Sequence, residues 1–268
     1  SLMVTLFSGI SLGSNVVIAN YIGQCDKKRV PRVVHTAVTL ALLSGVFLLV
    51  LGQFVAHPIL VLMGAPKNII HLATLYLRIY FLGMPFFMLY DFGASILRSI
   101  GDTRRPMYAL IVSGVVNVIL NLLFVVVFRM GVAGAGLATV GANAVSAAQI
   151  IYFLMHEELP IRLSFQSLMI DRDAVSKILR IGVPAGLQGM VFSLANVCIQ
   201  SGINSFGSAG IAGSAVELNY EYFAYYLVNA FAQTVVTFTG QNYGAKDEGR
   251  CKKIFRLGML CSDLLRNP

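Results

Sequence analysis

Residues 33–66 read VVHTAVTLALLSGVFLLVLGQFVAHPILVLMGAP and contain no lysine, arginine, aspartate or glutamate. A helix of about 20 apolar residues, rising about 1.5 Å per residue, crosses a hydrocarbon core of about 30 Å. Uncharged runs also cover residues 1–25, 130–156, 181–216 and 222–245. The stretch therefore predicts a membrane-spanning helix, and its recurrence predicts an all-α, polytopic transmembrane helix bundle.

The composition of the whole chain agrees with a membrane class. Apolar residues make up 57% and charged residues 12%, and the mean hydropathy is +0.76, whereas charged residues make up about 25% of soluble proteins. The net charge is +8, and the basic residues responsible for it lie at helix ends, where anionic lipid headgroups attract them. This placement of the basic residues predicts that the protein binds a lipid bilayer and not nucleic acid. Nothing in the sequence indicates an obligate protein partner.

Histidines and cysteines give no sign of a catalytic or metal site. The four histidines lie at predicted helix ends, and the four cysteines include no C-x-x-C pair. Such scattered residues match no known ligand spacing. We therefore expect no metal, no cofactor and no enzymatic activity.

Basic residues alternate along the chain with neutral connectors. Of the 20 lysines and arginines, 16 fall in residues 27–32, 98–105, 162–180 and 246–256. Short loops rich in these residues stay on the cytoplasmic side of a membrane. The alternation predicts a multi-pass protein of the cell membrane with its basic loops in the cytoplasm.

The runs and connectors together predict the order of helices. The helices are expected near residues 1–24, 33–56, 70–98, 106–128, 132–155, 179–206 and 211–242, with a last one opening near 251. The polar stretch 157–178 is interpreted as a cytoplasmic linker between a first lobe, residues 1–156, and a second lobe, residues 179–268. The alternative is a long loop within a single bundle.

An internal repeat supports the interpretation as two lobes. One connector recurs late in the chain, with glycine, aspartate and arginine in the same phase in both copies: Gly23, Asp26 and Arg29, then Gly244, Asp247 and Arg250. Each glycine is expected to end a helix in the left-handed conformation, and each aspartate to cap the next helix. Because both copies face the same side of the membrane, they predict a parallel internal repeat.

A second connector combines a helix stop with a helix start. It reads RSIGDTRRP over residues 98–106, in which Gly101 stops one helix, Asp102 or Thr103 caps the next, and Pro106 suits a first helical turn. It resembles the R-x-x-G-D-T-x-x-P loop of the multidrug and toxic compound extrusion (MATE) family, which would make Arg98, Gly101, Asp102, Thr103 and Pro106 its motif residues. Residues 131–139, 181–188 and 240–245 resemble the same family, in the family's order.

The resemblance implies twelve helices in two lobes, of which this chain would be a fragment covering about helices 2 to 9. It also implies secondary-active efflux of small organic compounds, cationic or amphipathic, by Na+ or H+ antiport with alternating access. Some branches of the family carry an acid in helix 7, but this chain has none between Arg180 and Glu217. The coupling ion therefore stays open between Na+ and H+.

Ionisable groups inside predicted helices are the candidates for ion coupling, because burying them in a membrane is costly. They are Arg78, Asp91, Glu217 and Glu221. Arg78 lies near the outer end of its helix and is expected to reach the headgroups, whereas Glu221 lies about twelve residues from a neutral loop and is expected near the middle of the bilayer. Polar residues at helical spacing extend the expected cavity: Tyr225 and Asn229, Asn117 and Asn121, and Gln188, Asn196 and Gln200. The alternative role for these side chains is hydrogen bonding between helices.

Two alternative functions remain open from the sequence. A lipid-linked saccharide flippase of the same superfamily shares the two-lobe plan, but a pyrophosphate substrate predicts a basic cavity, whereas the charges within the helices here are mostly acidic. A membrane-embedded enzyme requires a ligand or acid pair that the sequence does not show.

Overall fold

The computed structural model describes residues 2–62, 70–158, 160–204 and 207–266, which form α-helices and no β-strand. The helices run in the order α1 (Leu2–Gly23), α2 (Arg29–Leu62), α3 (Ile70–Leu82), α4 (Met84–Ser99), α5 (Arg104–Asn121), α6 (Gly131–Met155), α7 (Arg172–Asn204), α8 (Gly207–Gly244) and α9 (Glu248–Arg266). The predicted all-α class is confirmed.

Helix α2 ends at Leu62, six residues beyond its predicted end, and two further helices depart from their predicted outlines. The single helix expected at 70–98 is broken at Gly83 into α3 and α4, which meet at 44°, because Pro85 follows at the start of α4 and cannot donate the backbone hydrogen bond of a continuous helix. Helix α7 begins at Arg172, seven residues before its predicted start. The Asp171 side chain accepts a hydrogen bond from the Ala174 backbone N–H at 3.0 Å and caps that earlier turn.

Long apolar helices identify an integral membrane protein. Within the described residues, five helices are long and apolar enough to span a membrane, or six if the bent pair α3 and α4 counts as one span. Helix α5 continues as a π-helix over Leu122–Val127. Its outer face exposes Val115, Val118 and Ile119, as expected of side chains that contact lipid.

The chain divides into two compact units, residues 28–176 and residues 1–27 with 177–268. In the first unit, α4 lies against α2 and α6. Its fully buried side chains include Phe92, Ile96, Ile150 and Leu154. These units are defined by packing, and the predicted lobe boundaries at 156 and 179 remain a prediction.

The predicted linker is held against α2 within the first unit. Buried His35 accepts a hydrogen bond at Nε2 from the Ser164 backbone N–H at 3.1 Å. The Thr36 hydroxyl accepts one from the Asp171 backbone N–H, also at 3.1 Å. Leu163 is buried, and its N–H donates to the Leu154 carbonyl at 2.9 Å. Residues 161–171 therefore form a strap with fixed contacts.

In the second unit, α1 packs on α7 through facing glycines. A methyl group added to Gly9 would overlap the Gly186 backbone, and one added to Gly13 would lie 2.8 Å from the Gly182 nitrogen. Small residues at this spacing let two helix backbones approach closely in a membrane. These glycine pairs therefore serve close helix packing.

The two repeated connectors have the same backbone hydrogen bonds. In the first, Cys25 N–H donates to Ile22 O at 2.9 Å and Asp26 N–H to Tyr21 O at 3.1 Å. At the equivalent positions of the second, Lys246 N–H donates to Tyr243 O and Asp247 N–H to Asn242 O, both at 3.0 Å. These pairs of bonds form the Schellman motif that closes a helix. The repeat is therefore present in local structure as well as in sequence.

One prediction about these connectors is wrong. The left-handed residues are Cys25 at φ 56° and Lys246 at φ 61°, not Gly23 and Gly244. Both glycines are instead the last residues of their helices, where an added Cβ would overlap the backbone of another helix. They allow close approach and do not shape the turn.

Candidate functional site

An aromatic pair joins α7 and α8. The rings of Phe192 and Tyr225 stack with centroids 5.5 Å apart and an interplanar angle of 12°. The sequence predicts Tyr225 as a cavity residue but gives no sign of Phe192, since a lone aromatic in an apolar helix resembles any other core or lipid-facing residue.

Predicted polar residues flank this stack on both helices. Gln188 and Asn196 lie four residues to either side of Phe192, and Glu221 and Asn229 lie four residues to either side of Tyr225. Residues four apart share a face of a helix. The stack joins these two helix faces, and the place of the flanking polar residues on them is inferred from their spacing. We call the set formed by Phe192, Tyr225 and these four polar residues the α7–α8 wall.

The α7–α8 wall combines a carboxylate with flat aromatic surface. Glu221 is exposed and Tyr225 is 45% exposed, so both are accessible in the described structure. An aromatic face attracts an organic cation, and a carboxylate nearby adds charge attraction. The arrangement is chemically suited to a flat, positively charged compound.

The depth of Glu221 depends on the end of α8 from which it is measured. The 38 residues of α8 make it about 57 Å long, and place Glu221 about 21 Å from Gly207 and about 35 Å from Gly244 at the usual rise per residue. The second distance exceeds a hydrocarbon core of about 30 Å. Exposed Tyr220, Tyr222 and Tyr226 lie near it in the sequence, a composition common at membrane interfaces. Its location near the middle of the bilayer stays a prediction.

Two of the predicted site residues have side chains outside the described part of the structure. The side chains of Gln200 and Glu217 are not among the described residues, although both positions are helical. Their roles stay predictions.

The remaining candidates lie in the other compact unit. The Asn121 side-chain amide donates to the Asn117 backbone carbonyl at 2.9 Å and to its side-chain oxygen at 3.0 Å, so the two share one face of α5. Asp91 is partly buried in α4. The place of Asn117, Asn121 and Asp91 in the expected cavity stays a prediction.

Other polar residues on these helices form hydrogen bonds between helices. The buried Ser113 hydroxyl on α5 donates to the Ala142 carbonyl on α6 at 2.7 Å. The buried Thr237 hydroxyl on α8 donates to the Asn15 side chain on α1 at 3.0 Å. For these two residues the interhelical role is observed directly.

The connector after α4 is organised around one carboxylate. Gly101 takes φ 86°, which ends α4 in the left-handed region as predicted. The Asp102 side chain accepts hydrogen bonds from the backbone N–H groups of Arg104 at 3.0 Å and Arg105 at 3.2 Å. Of the two predicted caps, Asp102 is therefore the one used, and Thr103 forms no side-chain cap.

The same connector reaches the residues just after α6 through an ion pair. The Arg105 guanidinium contacts Asp102 at 2.8 Å and also pairs with Glu157. The sequence does not predict the pairing of Arg105 with Glu157, because the two residues lie 52 positions apart. This motif therefore stabilises the start of α5 and its contact with the residues after α6.

We expect Asp102→Ala to lower the stability of the protein and Thr103→Ala to change it little. Loss of a helix cap costs about 0.5–2 kcal/mol, and Asp102→Ala also removes a partner of Arg105. The measurement is the thermal unfolding midpoint of the detergent-purified protein. Equal midpoints for the two variants would show that Asp102 is not the structural cap.

Comparisons with known proteins agree with this fold. Residues 1–123 match the MatE family model. The probable multidrug resistance protein YoeA of Bacillus subtilis (strain 168) is 31% identical over 265 residues, which cover 96% of this chain and 57% of YoeA. The FAD transporter of Shewanella oneidensis is 26% identical, covering 94% of this chain and 56% of that protein.

A solved structure gives the same result in three dimensions. The crystal structure of MATE in the bent conformation superposes with a TM-score of 0.88 at 24% sequence identity, covering 97% of this chain and 58% of that chain. The chain therefore spans somewhat more than half the length of the relatives that it matches. The family model, the similarity to YoeA and the shared fold together show that the chain belongs to the multidrug and toxic compound extrusion (MATE) family.

Proposed function

We propose that the protein is a secondary-active exporter of small organic compounds that are cationic or amphipathic, driven by Na+ or H+ antiport. The observation that carries this proposal is the α7–α8 wall, where exposed Glu221 lies one helical turn from the Phe192–Tyr225 stack. A carboxylate beside aromatic faces offers the two attractions that a flat organic cation needs. Relatives named as multidrug resistance proteins support the same substrate class.

The coupling of ion entry to substrate export would follow from the negative charge of Glu221. A carboxylate holds a proton, a sodium ion or a cationic substrate, and each occupant weakens the binding of the others by charge repulsion. Such competition is the simplest basis for antiport, because ion entry then favours substrate release. We propose Glu221 as one such group, with Asp91 and Glu217 as further candidates. Asn117, Asn121, Gln188, Asn196, Gln200 and Asn229 would supply neutral hydrogen bonds to substrate.

The other functions predicted as alternatives receive less support. The matched relatives are named as a transporter, a multidrug export protein and a probable multidrug resistance protein, so a membrane-embedded enzyme is not favoured. A flippase for lipid-linked saccharides would need basic groups to hold pyrophosphate, whereas the charged residue of the α7–α8 wall is an acid.

The proposal is tested by dye efflux from cells that lack their own multidrug exporters. Cells expressing the protein at its natural full length are expected to lose a fluorescent organic cation faster than cells with an empty vector, and a protonophore or removal of sodium should abolish the difference. An anionic dye of similar size is the matched control. Equal retention of the cationic dye in both strains would contradict export of organic cations.

We further propose that the protein lies in the cell membrane with its basic connectors in the cytoplasm, which a cysteine-labelling experiment tests. Exposed Cys25 lies in a basic connector, and exposed Arg129 lies in a neutral one. In a protein with Cys25 as its sole cysteine, a membrane-impermeant maleimide should label only permeabilised cells. In a cysteine-free protein carrying Arg129→Cys, it should label intact cells. The opposite pattern would reverse the orientation.

A further inference from the structure

The strap covers one face of α2 near the start of that helix. His35 and Thr36 accept hydrogen bonds from backbone N–H groups of the strap, and the Thr39 hydroxyl donates to the Met169 carbonyl oxygen at 3.5 Å. His35 can accept at Nε2 because its ring proton lies on Nδ1, which donates to the Pro31 carbonyl oxygen at 2.6 Å. Acceptor side chains at positions 35 and 36 therefore hold the strap in place.

The internal repeat identifies the equivalent face on α9. The interval that separates the two repeated connectors also relates α2 to α9, and their packed faces agree in phase. A Cβ added to Gly258 on α9 would overlap the Val235 side chain, and the equivalent residue of α2, Ala37, is fully buried. By the same interval, the three residues of α2 that contact the strap correspond, in order, to Arg256, Leu257 and Leu260.

This face of α9 cannot hold a strap in the way that α2 does. An arginine side chain has donors and no acceptor, and a leucine side chain has no polar atom. Backbone N–H groups laid against Arg256 and Leu257 would therefore lack the acceptors that His35 and Thr36 provide, and buried N–H groups are rarely left without a partner. The occupant of the α9 face must differ chemically from the strap.

Positive charge is concentrated beside the same face. Lys252 and Lys253 precede Arg256, and all three are exposed. Lys252 and Arg256 are one helical turn apart, about 6 Å along the axis, and so can contact one small anion together. The nearby carboxylate of Asp247 pairs with Arg250 at 3.3 Å. Among the side chains that the structure describes, none forms an ion pair with the three bases.

Apolar side chains follow the bases along α9, away from the connector. Leu257 lies one turn beyond Lys253, and Leu260 lies one turn beyond Arg256. Both leucines are exposed. An anionic phospholipid has the same order from the water inward, with a charged phosphate followed by hydrocarbon, and basic side chains at helix ends attract such headgroups. We call the three bases and two leucines the basic α9 face.

We propose that the basic α9 face binds one anionic phospholipid, whose phosphate contacts the three bases and whose acyl chain contacts the two leucines. The equivalent face of α2 is closed by the strap and takes no such lipid. The two repeats therefore share a backbone design but differ in what covers it. This inference goes beyond export and needs only a protein that lies in a bilayer.

Native mass spectrometry of the full-length protein in detergent tests this proposal, because it resolves bound lipid as phosphatidylglycerol is added. Phosphatidylcholine, which carries no net charge, is the control lipid. The test variant removes the three bases: Lys252→Gln, Lys253→Gln and Arg256→Gln. The matched control removes the same charge from the first connector and the start of α2: Lys27→Gln, Lys28→Gln and Arg32→Gln.

The test variant is expected to bind its first phosphatidylglycerol about tenfold or more weakly than the parent, because each base near anionic headgroups strengthens attraction about fivefold. The matched control should bind this lipid as the parent does. Arg256→Gln alone should weaken binding about fivefold, which gives a second reading if the triple variant cannot be purified. Soluble glycerol phosphate should not displace the lipid, since it has no acyl chain for Leu257 and Leu260.

Each other result contradicts the lipid site. Parental affinity in the test variant, or an equal loss of affinity in the matched control, would show that the basic α9 face is not where the lipid binds. Equal binding of phosphatidylcholine by the parent would show that charge does not select the occupant, and displacement by glycerol phosphate would assign the bases to free phosphate. Because dye efflux is not the readout, these results leave the proposed export function to its own test.

Discussion

Replacing Glu221 with glutamine is expected to reduce efflux of an organic cation by about tenfold or more, within the range of about 1–3 kcal/mol that links two binding events in coupled proteins. Glutamine keeps the size of the side chain and one acceptor oxygen, replaces the other oxygen with a donor NH2 group, and removes the charge. It therefore removes the attraction for the substrate and for the coupling ion together. The measurement is the initial rate of dye efflux from energised cells, normalised to the amount of protein in the membrane.

The matched control is Glu248→Gln, which makes the same chemical change at the first residue of α9. Glu248 lies in a basic connector and is expected to leave the efflux rate unchanged. If Glu221→Gln transports as well as Glu248→Gln, then Glu221 takes no part in the mechanism. Tyr225→Leu refines the result, because loss of the Phe192 stack should weaken apparent dye affinity more than it lowers the maximum rate.

The second large effect concerns the packing of α1 on α7. Gly182→Ala is expected to destabilise the protein by about 1–3 kcal/mol, the usual cost of overfilling a packed site, because the added Cβ would lie 2.9 Å from the Gly9 carbonyl oxygen. The backbone of α1 must move to relieve that overlap. The measurement is the thermal unfolding midpoint of the purified protein in detergent.

Gly114→Ala is the control for the change from glycine to alanine. It lies in α5 with open space around its added Cβ, and alanine in a helix is favoured over glycine by about 0.5–1 kcal/mol. We therefore expect an equal or higher midpoint for this variant. A Gly182→Ala midpoint as high as that of Gly114→Ala would show that the contact between α1 and α7 is looser than described.

Helix order could be predicted from the sequence because a membrane makes each span a long uncharged run. The break between α3 and α4 was harder to foresee, since Pro85 alone does not show whether a helix bends or divides. The predicted start of helix α7 lies after its observed start. The first turns of the helix are polar, and their cap, Asp171, resembles an ordinary linker residue. A change from apolar to polar residues shows where a helix leaves the membrane core, but a helix can begin several residues earlier, within the polar segment.

Candidate residues on one helix were predicted from their spacing, but contacts between helices were not. The interval of four residues linked Glu221 with Tyr225, and it says nothing of which helices meet. Phe192 therefore entered the α7–α8 wall only through its stack with Tyr225. The roles of Gly23 and Gly244 were misassigned for the same reason, since the purpose of each depends on a helix at the opposite end of the chain.

Reconstitution provides the most direct test of coupled export. The full-length protein is placed in liposomes that contain a fluorescent organic cation, and an inward gradient of H+ or Na+ is imposed in separate preparations. Coupled export predicts faster dye release with one inward ion gradient than with none, and loss of that acceleration in the Glu221→Gln protein. Dye release at the same rate with and without either gradient would contradict it.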